Sequence, residues 1–426
     1  MDRFTRRTRV HKGLALVAAT AMSATGLTLV QAPPAAADGT GQCTFPSKPY
    51  KGRPWSLQRL MFDQLWKDTK GKRVTDGRSV KVAVIDTGVD VKNPQLKSAV
   101  ESGSGLNVLP KKPKKDKYGE AAPRGKDDGT SDAVGHGTKV AGIIAARPSS
   151  KTGFVGIAPD AKIIPIIQND ANGSGDAGSL AKSIDHAVAK GADVINISQD
   201  TAQAMKPTSS LAVSVRDAVK AGKVVVASAG NDGLGGKVKE TYPAAFPDVL
   251  AVAASDRNNE RAPFSQSGDF VGLAAPGVDM VSTVPKGGHC PDNGTSFAAP
   301  YAAGVAALVR AKHPNWTPQQ VVAQLEQTAE RSIPGKDNRV GWGVIDPVKA
   351  LTDDQKPVDR PHPSGGVSKA QAPTPAKVTL GESPQDRQER LATYAVVGGG
   401  VLVAIIFGSA LVYRDWRRRV GRVGAE

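Results

Sequence analysis

Asp86, His136 and Ser296 are the side chains of this sequence best placed by type and context to do covalent chemistry. Asp86 ends the apolar run KVAVI and is followed by Thr87-Gly88, so a carboxylate stands at a strand end with a glycine to turn the chain. His136 lies in Gly135-His136-Gly137-Thr138, ahead of the small apolar run Val140–Ala146. Its flanking glycines let another backbone come close at a helix start. Ser296 lies in Asn293-Gly294-Thr295-Ser296 and opens an Ala/Val/Leu-rich helix through Val309. A backbone N–H at such a helix start is aimed where an oxyanion would form, and the helix dipole favours negative charge there. Each residue alone has an ordinary alternative: a strand-end aspartate, a turn histidine, an N-cap serine. Gly129-Thr130-Ser131 repeats the tripeptide with no such helix after it. Together the three suit acyl transfer, in which an imidazole oriented by a carboxylate takes the serine proton as the oxygen attacks a carbonyl.

Positioning them requires a scaffold, and the apolar runs supply one. Val80–Ile85, Ile163–Ile167, Val194–Ile197, Val224–Ala227 and Val249–Ala253 are near-continuous in Val, Ile and Ala, and amphipathic stretches such as Gly178–Ala189 lie between them. This pattern predicts an α/β fold: a doubly wound, mainly parallel sheet with helices on both faces. Reactive groups of such sheets gather beyond the carboxyl ends of the strands. Residues 101–131, with Lys111-Lys112-Pro113-Lys114-Lys115, read as a charged insertion and are expected to form a mobile loop.

The chain order Asp, His, Ser, with separations of 50 and 160 residues, is that of subtilisin-type triads. VAVIDTGVD (82–90), GHGTKVAG (135–142) and NGTSFAAPYAAG (293–304) resemble the three active-site signatures of the subtilase family, a likeness covering about residues 80–350. It implies a subtilisin-like fold and a serine endopeptidase with Ser296 as nucleophile, His136 as general base and Asp86 orienting it. VVVASAG (224–230) runs into Asn231, which resembles the subtilase position whose side-chain amide donates to the oxyanion. By the same likeness, Ser198, Gln199 and Asp200, Gly173, Ser174 and Gly175, and Ala227, Ser228, Ala229 and Gly230 should line a cleft that pairs with an extended peptide. PWSLQRL (54–60), Phe297 and Tyr301 in the serine motif and the organisation of both chain ends further resemble mycosins, the membrane-anchored subtilases of type VII secretion. That resemblance implies membrane components of such a system as partners. Mycosins commonly carry more than the two cysteines found here, and Lys139 stands where secreted subtilisins usually have histidine.

The net charge of +16 first suggests a polyanionic partner. Residues 1–37, however, carry five Lys/Arg against one Asp and residues 414–426 five Arg against two acids, leaving +9 over the chain between, a milder excess typical of solvated surface. No nucleic-acid partner is expected. Arg3–Lys12, the uncharged Gly13–Val30 and Ala35-Ala36-Ala37 have the order of a signal peptide cleaved after Ala37, the alternative being an uncleaved anchor. Ala392–Tyr413 is uncharged and, at about 33 Å as a helix, long enough to span a bilayer. The alternative of a buried core helix lacks anything after it to bury it. Arg414, Arg417, Arg418 and Arg419 place the C-terminus in the cytoplasm and the rest outside. The expected divisions are a signal peptide (1–37), an N-terminal extension (38–79), a peptidase domain (80–352), a proline-rich linker (353–391), a transmembrane helix (392–413) and a basic tail (414–426).

Two cysteines exclude a four-cysteine zinc site and a disulfide-dense scaffold. Cys43 and Cys290 both lie in the exported part and are expected to pair, against the alternative of free or intermolecular thiols. No acidic loop has calcium spacing, and no metal or cofactor is expected. Leu57, Leu60, Met61 and Leu65 have helical spacing suited to packing on the catalytic domain. With Cys43 bonded to Cys290, six residues before Ser296, the extension is expected to stay as a brace rather than leave as an inhibitory prodomain. A scaffold role in a secretion complex is the rival to proteolysis and is compatible with it.

Overall fold

Val82 and Val84 of the first strand point into one apolar layer, while Ala83 and Ile85 point into another. A strand without polar alternation requires this double burial. The computed structural model describes residues 43–112, 123–170, 175–235, 240–363 and 382–420. In chain order its elements are α1 (Trp55–Gln58), α2 (Phe62–Leu65), β1 (Lys81–Asp86), β2 (Leu106–Asn107), α3 (His136–Ala145), β3 (Lys162–Ile167), α4 (Ala177–Ala189), β4 (Val194–Ile197), α5 (Ser210–Lys220), β5 (Val224–Ser228), β6 (Val249–Ser255), β7 (Leu273–Pro276), the two-residue hairpin β8 (Ser282–Thr283) and β9 (His289–Cys290), α6 (Thr295–Lys312), α7 (Pro318–Thr328), α8 (Pro347–Thr352) and α9 (Pro384–Val420).

Seven strands form one sheet in the order β2-β3-β1-β4-β5-β6-β7, each pair parallel. From β1 the chain builds outward in both directions, so the carboxyl end of β1 is the switch point where such sheets open a crevice. Helices α3 and α6 cover one face and α4 and α5 the other. Apolar on nearly every side, α6 runs buried through the first layer. The five predicted strands and the predicted α/β class are present.

The structure corrects three expectations. The segment 101–131 is not a mobile insertion throughout: Leu106–Asn107 adds β2 to the edge of β3, and Asn107 Nδ2 donates to the Arg124 and Lys126 carbonyls at 2.9 and 3.2 Å. Its stretch 113–122, which holds Lys114 and Lys115, lies outside the described residues. The extension docks through Leu57, Leu60 and Leu65, but Met61 turns outward at 55% exposure, because the chain breaks into two single turns rather than one continuous helix. The predicted linker is shorter than 353–391. Gln324 Nε2 donates to the Asp353 carbonyl at 2.9 Å, Lys312 Nζ reaches Asp354 Oδ1 at 2.6 Å, and the His362 amide donates to Gln327 Oε1 at 2.7 Å. Residues 353–362 are thus strapped along α7, and α9 starts at Pro384, ahead of the predicted span. Helix α9 holds one exposed stretch long and apolar enough to cross a membrane. The proposed signal peptide lies outside the described residues.

Cys43 and Cys290 form a disulfide, as expected. Around it the Ser47 amide donates to the Gly287 carbonyl, the His289 amide to the Lys48 carbonyl, and the Tyr50 amide to His289 Nδ1. Since Nδ1 accepts, the proton of His289 is on Nε2, which donates to Gln95 Oε1 at 2.8 Å. Burial pushes this imidazole down to about 4, so it stays neutral. The crosslink spans 247 residues. Cys43→Ala with Cys290→Ala is expected to lose up to about 5 kcal/mol by the loop-entropy estimate. Thermal unfolding under non-reducing conditions measures it; an unchanged midpoint would show that the crosslink constrains nothing in the unfolded chain.

Candidate active site

Asp86 is the last residue of β1, with its side chain 1% exposed. Its carboxylate accepts from the Thr87 amide at 2.7 Å and holds His136 Nδ1 at 2.8 Å through Oδ1 and 3.0 Å through Oδ2. The imidazole is brought there by the start of α3, capped by Gly135 in the left-handed region at φ 89°. A Cβ on Gly135 would lie 2.3 Å from the Phe45 ring of the N-terminal extension, and one on Gly137 would lie 2.2 Å from the Gly88 carbonyl, so both glycines are demanded by close approach. With Nδ1 engaged by Asp86, Nε2 is free, and the side chain is 29% exposed, open to a substrate.

Burial lowers the proton affinity of His136, but the charge of Asp86 and its hydrogen bond outweigh this, with smaller help from Asp132 and Asp292, and hold the pKa above the ordinary imidazole value. A base must be neutral to accept a proton. For a Ser296-dependent cleavage, kcat/KM is therefore expected to fall on the acid side through a pKa above about 6.5. A rate flat from about pH 5 to 8 would contradict this role.

Thr87, Asp132 and Thr138 were not legible as site residues, because their roles require partners distant in sequence. Thr87 Oγ1 accepts from the Gly137 amide at 2.9 Å and donates to Asp132 Oδ1 at 2.9 Å. Asp132 also accepts from the Gly135 amide at 2.7 Å and from the Thr138 amide and hydroxyl at 2.8 and 2.7 Å. This buried carboxylate ties the turn after β1 to the turn before α3, fixing the Asp86–His136 distance. Burial pushes its pKa up, against the pull of these bonds.

Ser296 occupies the first turn of α6, where backbone N–H groups lack intrahelical partners. The ring of Phe297, the next residue, lies 5.1 Å from that of His136, so the first turn of α6 lies beside the imidazole. Among the described residues no hydrogen bond joins Ser296 Oγ to His136; such bonds often tighten only when substrate binds. Asn231 follows β5. Its Oδ1 accepts from the Thr295 amide at 3.0 Å and the Thr295 hydroxyl at 3.1 Å. Since a backbone amide can only donate, the atom facing it is the oxygen, and Nδ2 must point away from Thr295. Thr295 Oγ1 in turn accepts from the Gly230 amide at 3.2 Å, locking the donor loop to the serine helix.

Among the expected cleft residues, Ser198 Oγ accepts from Asn196 Nδ2 at 2.8 Å, and Gln199 Nε2 donates to the Ile85 carbonyl at 3.3 Å. Asp200 Oδ2 lies 3.0 Å from where a Cβ on Gly230 would stand. Exposed at the crevice mouth but crowded by protein below, it has its pKa pushed up to about 6, first by desolvation and then by Asp232. Gly175 packs against Gln168 and Asn169 after β3. Ala227 and Ser228 belong to β5 between β4 and β6 and are fully buried, so their side chains back the wall rather than line a surface. Gly173 and Ser174 lie outside the described residues. Lys139, the departure from the secreted subtilisins noted above, pairs through Nζ with Asp292 Oδ2 at 2.6 Å, four residues before Ser296. A cavity of about 780 Å³ lined by Met205, Val215, Tyr242, Phe246 and Trp316 lies elsewhere, at the amino ends of β5 and β6, with no nucleophile and base among these residues. No cluster able to hold a metal is present among the described residues.

This geometry agrees with comparisons to known proteins. The subtilase family profile matches residues 77–343. Subtilisin Savinase of Lederbergia lenta is 36% identical over 292 residues, covering 68% of this chain and 96% of that protein. Subtilisin E of Bacillus subtilis (strain 168) is 40% identical over 270 residues, covering 63% and 65%. Among solved structures, MycP1 with its N-terminal propeptide removed is 35% identical at a TM-score of 0.59, over 72% of this chain and 99% of that one. The MycP3 protease of the type VII (ESX-3) secretion system is 33% identical at a TM-score of 0.59, over 72% and 90%. With a seven-stranded parallel sheet and a carboxylate-held histidine at its switch point beneath that family match, the chain belongs to the subtilase family and is a subtilisin-type serine protease.

Proposed function

We propose that this chain is a membrane-anchored, extracytoplasmic serine endopeptidase working with a type VII secretion system. Ser296 attacks the scissile carbonyl as His136 Nε2 takes its proton, Asp86 holds the imidazolium that forms, and Asn231 Nδ2 with the Ser296 N–H receives the oxyanion. His136 then returns the proton to the leaving amine, and water repeats the sequence on the acyl-serine. The observation that carries this reading is the bond of His136 Nδ1 to the buried Asp86, which leaves Nε2 as the free base. The MycP neighbours and the apolar stretch of α9 support the secretion-system setting and the anchor.

One of those neighbours bears a propeptide that was removed. Here the extension from Cys43 is crosslinked to Cys290, its Trp55 Nε1 donates to the Val278 carbonyl at 2.9 Å and Trp66 Nε1 to the Ile157 carbonyl at 2.9 Å. These bonds support a brace retained in the active enzyme. Comparing peptides released by membranes carrying the wild type and the Ser296→Ala form tests the reading. Identical peptide sets would leave the scaffold role alone. Asn231→Ala is expected to lower kcat by roughly 10²- to 10³-fold, the usual effect of losing one oxyanion donor. A full rate in that variant would reassign the donor.

A further inference from the structure

Beside the donor loop, the cleft has two carboxylates and, among the described residues, no cation paired with either. Ser198-Gln199-Asp200 follows β4 and Ala229-Gly230-Asn231-Asp232 follows β5; Ala229 and Gly230 are buried, while Asp200, Asn231 and Asp232 are exposed. The two strands are parallel neighbours, with Ile197 opposite Ala227, so both segments leave the sheet side by side. Asp200 is held from both flanks. Gln199 is tied to the Ile85 carbonyl, and Thr201 exchanges two backbone hydrogen bonds with Tyr242 at 3.0 and 2.9 Å. Its Oδ2 lies 3.0 Å from where a Cβ on Gly230 would stand, so the carboxylate rests against the residue that precedes the oxyanion donor. Asp232 follows that donor, and its charge acts on Asp200.

A peptide acylating Ser296 must direct its carbonyl oxygen to Asn231 Nδ2. The residue owning that carbonyl carries its side chain on the adjacent carbon, so the side chain enters the gap beside Asn231, between the two segments. An apolar group there would strip water from two carboxylates and replace it with nothing. A lysine or arginine supplies opposite charge and several N–H donors, giving charge-assisted bonds. We propose that this protease prefers a basic residue on the amino side of the bond it cuts, with Asp200 as the specificity-determining carboxylate and Asp232 reinforcing it. The proposal rests on the roles of Ser296 and Asn231 given above and adds the substrate class.

The test uses purified protein and fluorogenic peptides that differ only in that residue: lysine, norleucine, which keeps lysine's carbon chain without its charge, and glutamate. Lysine is expected to exceed norleucine by roughly tenfold to a hundredfold in kcat/KM, the range of a charge-assisted hydrogen bond. Asp200→Asn should lower the lysine-to-norleucine ratio by about tenfold. Asp200→Lys should raise the glutamate-to-norleucine ratio above that of the wild type, a gain that misfolding cannot produce. Calorimetric binding of the same peptides to the Ser296→Ala protein reads the preference without turnover. If cleavage fails while that protein still favours the lysine peptide, the catalytic assignment falls and the specificity stands. Cleavage that depends on Ser296 but favours norleucine, or a ratio unmoved by Asp200→Asn, overturns the proposal.

Discussion

Replacing Ser296 by alanine is expected to lower kcat by roughly 10⁴- to 10⁶-fold on a peptide substrate, while KM changes little. The hydroxyl forms no hydrogen bond among the described residues and sits at a helix start held by other groups. Its loss would therefore remove the proposed nucleophile without breaking a bond that holds the helix start. Turnover need not reach zero, because the proposed donors, Asn231 and the helix N–H, would still bind an oxyanion raised by water, retaining about 10³- to 10⁴-fold over the uncatalysed reaction. Active-site titration of the purified variant distinguishes that residue of activity from contamination. A variant with more than a few per cent of the wild-type rate would mean that another group attacks the carbonyl.

Asp86→Asn is expected to lower kcat by about 10⁴-fold with the imidazole still in place. The carboxylate accepts only, so it fixes the proton of His136 on Nδ1 and leaves Nε2 free to act as base. An amide can offer its own N–H to Nδ1 and thereby select the opposite tautomer. The same replacement removes the charge and the hydrogen bond that raise the pKa of His136, so the acid limb of the remaining activity should move to lower pH. A purely structural role for Asp86 would lower the rate without moving that limb, so the pH profile separates the two.

The pairing of Asp86 with His136 was legible, and Ser296 and Asn231 were proposed beside it, because each stands in a short motif where an element starts or ends and the chain order of those motifs is itself informative. Strands β1, β3, β4, β5 and β6 were legible because Val, Ile and Ala run on in them. Two were not. The Leu-Ala-Ala-Pro of β7 lacks β-branched residues, and β2 is two residues long, so neither carries a periodic signal. Their place in the sheet comes from neighbours, as when Val252 and Ser255 of β6 register against Leu273 and Pro276. Asp132 and Thr295 were opaque for another reason. Nothing local separates a carboxylate that gathers two loops from one at a turn, or a threonine that orients an amide from a helix cap. The extension was read as one amphipathic helix, and Met61 shows the error: a break in the backbone, not hydrophobicity, decides which side chain faces water.

The strap of residues 353–362 has a consequence for access. Asp359, Arg360 and Pro361 share a hollow with Val249, the first residue of β6, and with Gly272, just before β7. The strap therefore lies at the amino pole of the sheet, whereas Asp86 and Asn231 stand at the carboxyl pole. A partner that grips this strap would therefore leave the carboxyl pole, with Asp86 and Asn231, uncovered.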